Sequence, residues 1–190
     1  MRERRILIIS GTNRPGSHAK KIAQIVENHY KTREVPTDFL SLEDLPREMF
    51  EASAYANKPP AIVGLQARVL DAAGLHVVTP EYNGSFPGVL KYFIDMLKFP
   101  ESFERKPVAF VGVAAGIWGA LRAVEHLQQI FGYRNAHIYP DRVFMPGVNK
   151  LLSAEGKLID PALDERLARQ AAGFAKFAHA ITAHHQSAST

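Results

Sequence analysis

At 190 residues the chain has the size of one domain and can bury about 70% of the surface its unfolded form exposes. Its composition, 46% hydrophobic and 22% charged, is ordinary for a globular protein, and no apolar run nears the ~20 residues of a membrane-crossing helix. The absence of cysteine excludes disulfides, thiolate nucleophiles and cysteine-held metals, and the +4 net charge is dispersed rather than gathered into the stripe that nucleic-acid binding needs.

The chain opens with a basic pentapeptide, Met1 to Arg5, and then Ile6 to Ile9, an apolar stretch too short for a signal peptide. It is read as the first strand, over residues 5–10, and the lack of a leader and of cysteine fits a cytoplasmic protein. The loop that follows, Ser10-Gly11-Thr12-Asn13-Arg14-Pro15-Gly16-Ser17, runs into a helix expected over residues 17–30, with Ile22, Ala23, Ile25 and Val26 on one face. Glycines let backbone approach an anion, and a helix start offers unpaired N–H groups at the positive end of its dipole. Ser10, Thr12 and Ser17 can add hydroxyl donors, and Arg14 can pair two phosphate oxygens. Lys20 and Lys21 oppose the helix dipole unless an anion reverses the sign; alternatively Ser17 is only an N-cap and both lysines are solvated. The loop is neither Gly-x-Gly-x-x-Gly nor a Walker A sequence, which disfavours a Rossmann dinucleotide site and an ATPase.

A second strand is expected over residues 37–42. The irregular stretch 45–60, with Pro46, Pro59 and Pro60, is either a surface connection or a loop that shapes the site. A helix over 62–73, a strand over 75–79 and a helix over 88–97 follow. Between the last two lies Pro80-Glu81-Tyr82-Asn83-Gly84-Ser85-Phe86-Pro87-Gly88. Asn83-Gly84 alone suits a plain turn, but a loop after a buried strand carrying Glu81, Tyr82, Asn83 and Phe86 offers amide donors and aromatic surface to a flat, polar-edged ring. A fourth strand, over 107–114, leads into Ala114-Ala115-Gly116-Ile117-Trp118-Gly119-Ala120, whose small residues permit close backbone approach to a ligand. Trp118 is read as packing in the core or at a subunit interface.

A helix over 119–131 with Gly132 at its C′ position, a fifth strand over 135–139, and a last helix from Asp160-Pro161 through Ile181 complete the pattern. Strands alternating with helices imply a parallel α/β sheet; five of them suit a flavodoxin-like three-layer sandwich of order 2-1-3-4-5, with its ligand at the carboxyl ends of the strands. One domain is expected over 1–183, with a polar tail over 184–190. The eight histidines show no metal-binding spacing, and Ser17 and Ser85 lack the context of a hydrolase nucleophile. Lys91 and Asp95 are spaced as a surface pair on one helix.

The three loops together resemble the NADPH-dependent FMN reductase family, with its chromate-, quinone- and azo-reductase-like members, over roughly residues 5–140; the most specific match is the stretch from Pro80 to Lys91 followed by Ile94-Asp95. The resemblance implies an FMN-dependent NAD(P)H oxidoreductase. Hydride would pass in two steps from NADPH or NADH, through bound FMN, to a quinone, azo, metal-oxyanion or free-flavin acceptor. It implies a homodimer or homotetramer as well. By position it assigns Thr12, Arg14, Ser17, His18 and Ala19 to the phosphate loop, Pro80, Glu81, Tyr82, Asn83 and Gly84 to the isoalloxazine ring, and Ala115 and Gly116 to the third flavin-side loop. No side chain is assigned as acid, base or nucleophile, because the cofactor carries the chemistry. Ala19 stands where the family often has Asn, Ala115 lies near a frequent Ser, and Tyr92 and Met96 replace frequent Asn and Trp, changes expected to affect FMN retention or the subunit interface. A flavodoxin-like electron carrier and a non-enzymatic FMN-binding regulatory protein are the alternatives on the same fold.

Overall fold

The computed structural model describes residues 4–187. Its elements follow in chain order as β1 (Ile6–Ser10), α1 (His18–Lys31), β2 (Thr37–Ser41), α2 (Pro60–Asp71), β3 (Gly74–Pro80), α3 (Gly88–Asp95), β4 (Pro107–Val113), α4 (Leu121–Tyr133), β5 (His137–Ile138), β6 (Val143–Met145) and α5 (Pro161–Ser187). All strand pairings are parallel, in the order β2-β1-β3-β4-β5, with β6 also paired to β4. This is the expected flavodoxin-like α/β sandwich. Every residue of β1, β3 and β4 is buried, as strands covered on both faces must be.

The two-residue period of a strand divides the core into two clusters. Leu7, Ile9, Leu75 and Val77 face α2, α3 and α4, while Ile6, Ile8, His76 and Val78 face the side of α1 and α5. Helix α1 buries Ala19, Ile22, Ala23, Val26 and Tyr30, the spacing of one helical stripe, and the Ser17 side chain caps its start by accepting from the Lys20 amide at 3.2 Å. Asp160 caps α5 in the same way, through the amides of Ala162 and Leu163.

The fifth strand departs from the expectation of one run over 135–139. It is broken: His137–Ile138 pairs with the start of β4, Val143–Met145 pairs with its end, and Pro140, which has no N–H to donate, stands in the gap. Gln170 of α5 stands at the break, its Nε2 donating to Phe110 O at 3.0 Å and Asp141 O at 2.9 Å.

Two helix ends also differ. Gly132 lies inside α4, and Asn135, at φ 60°, takes the left-handed C′ position; its amide bonds Gly132 O and the next bonds Phe131 O, a Schellman ending. Helix α5 continues through Ser187, past His184 where a tail was expected to begin, and residues 188–190 lie outside the described residues.

The irregular stretch after β2 is three short 3-10 turns anchored by buried Met49 and Ala54. The Tyr92 hydroxyl of α3 donates to Met49 O at 2.8 Å, and its ring packs on Phe50 and Tyr55. The tyrosine that departs from the family pattern therefore holds this segment onto α3. Met96, also named above as a departure, is buried, and its carbonyl accepts from Gln66 Nε2.

Candidate functional site

The carboxyl ends of β1, β3 and β4 open into the three loops singled out in the sequence, and they meet. Thr12, only 1% exposed, places its Oγ1 3.0 Å from the Tyr82 hydroxyl, joining the β1 loop to the β3 loop across 70 residues of chain. The same Oγ1 accepts from the Arg14 amide at 3.2 Å, a local turn that leaves the Arg14 side chain exposed. Glu81 N donates to Val113 O at 3.2 Å, stitching the β3 loop to the end of β4.

The β3 loop closes as a tight hairpin. Tyr82 and Ser85 exchange both backbone hydrogen bonds, at 2.8 and 3.1 Å, around Asn83 (φ 51°) and Gly84 (φ 77°). Positive φ at both central residues is what a type I′ turn demands, and Asn-Gly is the pair best suited to it. The backbone thus gives Asn83-Gly84 the geometry of a plain turn. On the far side, Ser85 Oγ lies 2.9 Å from His126 Nδ1 of α4.

Behind the β4 loop the backbone runs very close. A Cβ on Gly112 would lie 2.6 Å from Gly119 O, and Gly119 itself has φ 58°. These two glycines allow the turn into α4 to fold down onto the strand. Ala120 follows at φ 70°, left-handed and fully buried.

Among these loops lies a cleft of about 430 Å³, within the range of small-ligand sites. The β1 loop and α1 line it with Arg14, Pro15, Gly16, Ser17, His18 and Ala19, the β3 end with Pro80, Glu81 and Tyr82, and the β4 end with Val113, Ala114 and Ala115. Of the residues singled out in the sequence, Thr12 sits beneath Tyr82 as a brace, Asn83 and Gly84 form the turn, and Gly116 lies in the exposed β4 loop; none of these four lines the cleft. Phe86 packs against the core cluster of α2, α3 and α4.

Val148 and Asn149 also line the cleft, and sequence reasoning passed over them. They follow β6, where Ala114 N bonds Met145 O at 3.1 Å and Val148 N bonds Ala114 O at 3.0 Å, bringing a fourth loop to the site. The available signal was Val143-Phe144-Met145, a short apolar run ended by Pro146-Gly147.

The cleft is chemically polarised. At one end is the start of α1, with no acidic residue in its first turn. The His18 and Ala19 amides of that turn have no partner within the helix, and Ser17, whose oxygen already accepts from Lys20 N, keeps its O–H proton to donate. Arg14 stands beside them. Lys20 is engaged elsewhere, with Nζ 2.7 Å from Glu43 Oε2. Ala19 turns its methyl into the core, so its place in the cleft is through backbone. Just past the end of β3, Glu81 Oε2 is buried with no hydrogen-bond partner. Beyond β4, Ile117 is 82% and Trp118 61% exposed, which removes Trp118 from the core.

A second cleft, about 360 Å³, lies at the opposite, amino-terminal ends of β1 and β2, where Arg68 forks onto Asp38 with two bonds of 2.8 Å. Among the described residues no group of three or more His, Cys, Asp or Glu could hold a metal ion. No described helix is long and apolar enough to cross a membrane.

The model of the NADPH-dependent FMN reductase family matches residues 4–150. The chain is 29% identical to an NAD(P)H-dependent FMN reductase of Pseudomonas aeruginosa, over 87% of this chain and 90% of that one. It is likewise 29% identical to a quinone reductase of Escherichia coli, over 90% of this chain and 94% of that one. In fold it is similar to a flavoenzyme NAD(P)H:(acceptor) oxidoreductase of Paracoccus denitrificans, with a TM-score of 0.76 and 22% identity, covering 93% of this chain and 98% of that one.

Proposed function

The chain belongs to the NADPH-dependent FMN reductase family, and from that premise we propose that the cleft at the carboxyl ends of β1, β3 and β4 is the seat of its FMN. The protein is an FMN-dependent NAD(P)H oxidoreductase. Its acceptors are taken from the classes its relatives' names record, quinones and azo compounds among them. The observation that carries the assignment of the cleft is its polarity. The His18 and Ala19 amides at the helix start, the Ser17 hydroxyl and Arg14 make an anion-binding end, and the Thr12–Tyr82 contact braces the neighbouring wall.

Bound FMN supplies the hydride-accepting and hydride-donating chemistry. The α1 amides, Ser17 and Arg14 bind the phosphate. Pro80, Glu81 and Tyr82 form the floor and wall beside the ring, and the open β4 loop at Ala115 and Gly116 leaves one side accessible to a second ligand. No side chain is required to hold a proton for the transfer itself.

The test is differential binding. Arg14→Ala should weaken FMN by about tenfold while leaving riboflavin, which lacks the phosphate, within about twofold. Equal effects on both flavins would remove Arg14 from the phosphate subsite. We further propose that the protein self-associates and is cytoplasmic. The first rests on the exposed apolar surface of Phe99, Ile117, Trp118 and Tyr133, and the second on the absence of cysteine. Finding the active protein in a membrane or periplasmic fraction would contradict the cytoplasmic assignment.

A further inference from the structure

We infer that the second cleft, at the amino-terminal ends of β1 and β2, binds a phosphate monoester through Arg4 and Arg5. It lies at the opposite end of the sheet from the FMN cleft and shares no lining residue with it, so the inference does not depend on the flavin. Its floor includes the buried Leu7 and Ala72. One wall is Arg68, which forks onto Asp38 and donates again to Phe39 O at 2.7 Å. The Arg68 hydrogen bonds hold the Asp38 carboxyl below its ordinary pKa, so this pair stays ionised and cancels its own charge.

The charges that remain are unbalanced. Arg4 and Arg5 line the cleft, and among the described residues neither guanidinium has an ion pair or a hydrogen bond. The cleft sets only Asp71 against them, and it pairs with neither. Near Arg4 is Lys106, whose Nζ spends its protons on Val69 O, Leu70 O and Ala72 O at the end of α2. Lys106 therefore adds positive charge but keeps no donor for a ligand. Burial lowers its pKa to about 8, and the Arg4 charge pushes the same way against Asp71, as cations gathered without a counter-ion do.

An anion in the cleft removes that excess. Guanidinium forks favour oxyanions, and a tetrahedral phosphate offers enough oxygens for two forks at once. The arginines are held on the sheet, since Arg5 O accepts from Ala73 N at 2.8 Å. A volume of about 360 Å³ is more than a bare phosphate fills and falls in the range of small organic ligands. Asp71 offers only acceptors, which suits a hydroxyl on the organic part. The ligand class is therefore the phosphate ester of a small hydroxylated molecule.

Orthophosphate and glycerol 3-phosphate are titrated into the full-length protein by calorimetry, at constant ionic strength and with saturating FMN. Wild type should bind both, the ester at least as tightly. Arg4→Gln combined with Arg5→Gln should weaken both by at least about tenfold. Arg4→Lys combined with Arg5→Lys, which keeps the charge but not the fork, should recover only part of the loss. Glycerol 3-phosphate should also raise the melting temperature of wild type and not that of the glutamine variant. A wild type that binds neither probe, or a glutamine variant that binds like wild type, would overturn the site. A lysine variant as tight as wild type would reduce it to a diffuse positive field and overturn it too. Binding of orthophosphate with exclusion of the ester would overturn the ester assignment.

Discussion

Mild acid should destabilise this protein through one histidine. His76 is fully buried in β3 between α1 and α5, with Nδ1 2.7 Å from the Tyr30 hydroxyl and Nε2 3.2 Å from Gln170 Oε1. Gln170 spends its amide N–H groups on Phe110 O and Asp141 O, so its oxygen must accept. That sets the His76 proton on Nε2 and makes Nδ1 the acceptor for Tyr30. Burial holds the His76 pKa at about 4, against 6.5 for a free imidazole, and the Gln170 hydrogen bond offsets only part of it. Between these values the unfolded chain binds a proton that the folded chain does not, so stability falls as pH falls. The contribution is complete above pH 6.5 and is lost on the way down to about 4; at 1.36 kcal/mol per unit the loss is about 3 kcal/mol. That is a large part of a typical 5–15 kcal/mol. The assay is urea unfolding of the apoprotein at a series of pH values, for wild type and His76→Gln, which keeps a donor and an acceptor but does not titrate. Between pH 7 and about 4 the difference in stability should move by about 3 kcal/mol in the variant's favour. A difference that stays constant with pH would refute the reasoning.

Lys106→Met should lower stability by about 2–3 kcal/mol, read by thermal melting, because Nζ donates to Val69 O, Leu70 O and Ala72 O at the end of α2 and no other group replaces it; an unchanged melting temperature would contradict this. If the exposed apolar residues form a contact between copies, light scattering should report an oligomer for wild type and a smaller species for Trp118→Glu or Tyr133→Glu. A monomeric wild type would dismiss the self-association proposal.

What was legible in the sequence was whatever depends on long apolar runs and on loops placed directly after them. Ile6 to Ile9 and Val108 to Val113 read as buried parallel strands because both faces are covered, and the three loops follow from where those strands end. The broken edge strand was not legible. Two- and three-residue strands around Pro140 carry too little periodicity, and what bridges them is Gln170, thirty residues further along the chain. The fourth wall of the cleft, Val148 and Asn149, was lost for the same reason, since it depends on β6. The sequence points to glycine at Gly132 for the end of α4, while the left-handed position falls to Asn135, one of the few non-glycine residue types that visits it. Burial of a single atom, such as Glu81 Oε2, depends on elements distant in sequence and has no local signature. Trp118 shows the same limit from the other side: core and surface placements of a loop tryptophan look alike until the chain is folded.

The most direct test of the central claim is anaerobic reduction of the FMN-loaded protein, compared with a sample in which the cleft is disabled by Arg14→Ala together with Glu81→Leu. Wild type should retain FMN at one per chain through gel filtration, lose its yellow colour on addition of NADPH or NADH, and regain it when a quinone is supplied. The double variant should elute without flavin. Wild-type protein that keeps no FMN, or holds it but is not bleached by either nucleotide, would contradict the account, and so would a double variant that retains FMN and turns over like wild type.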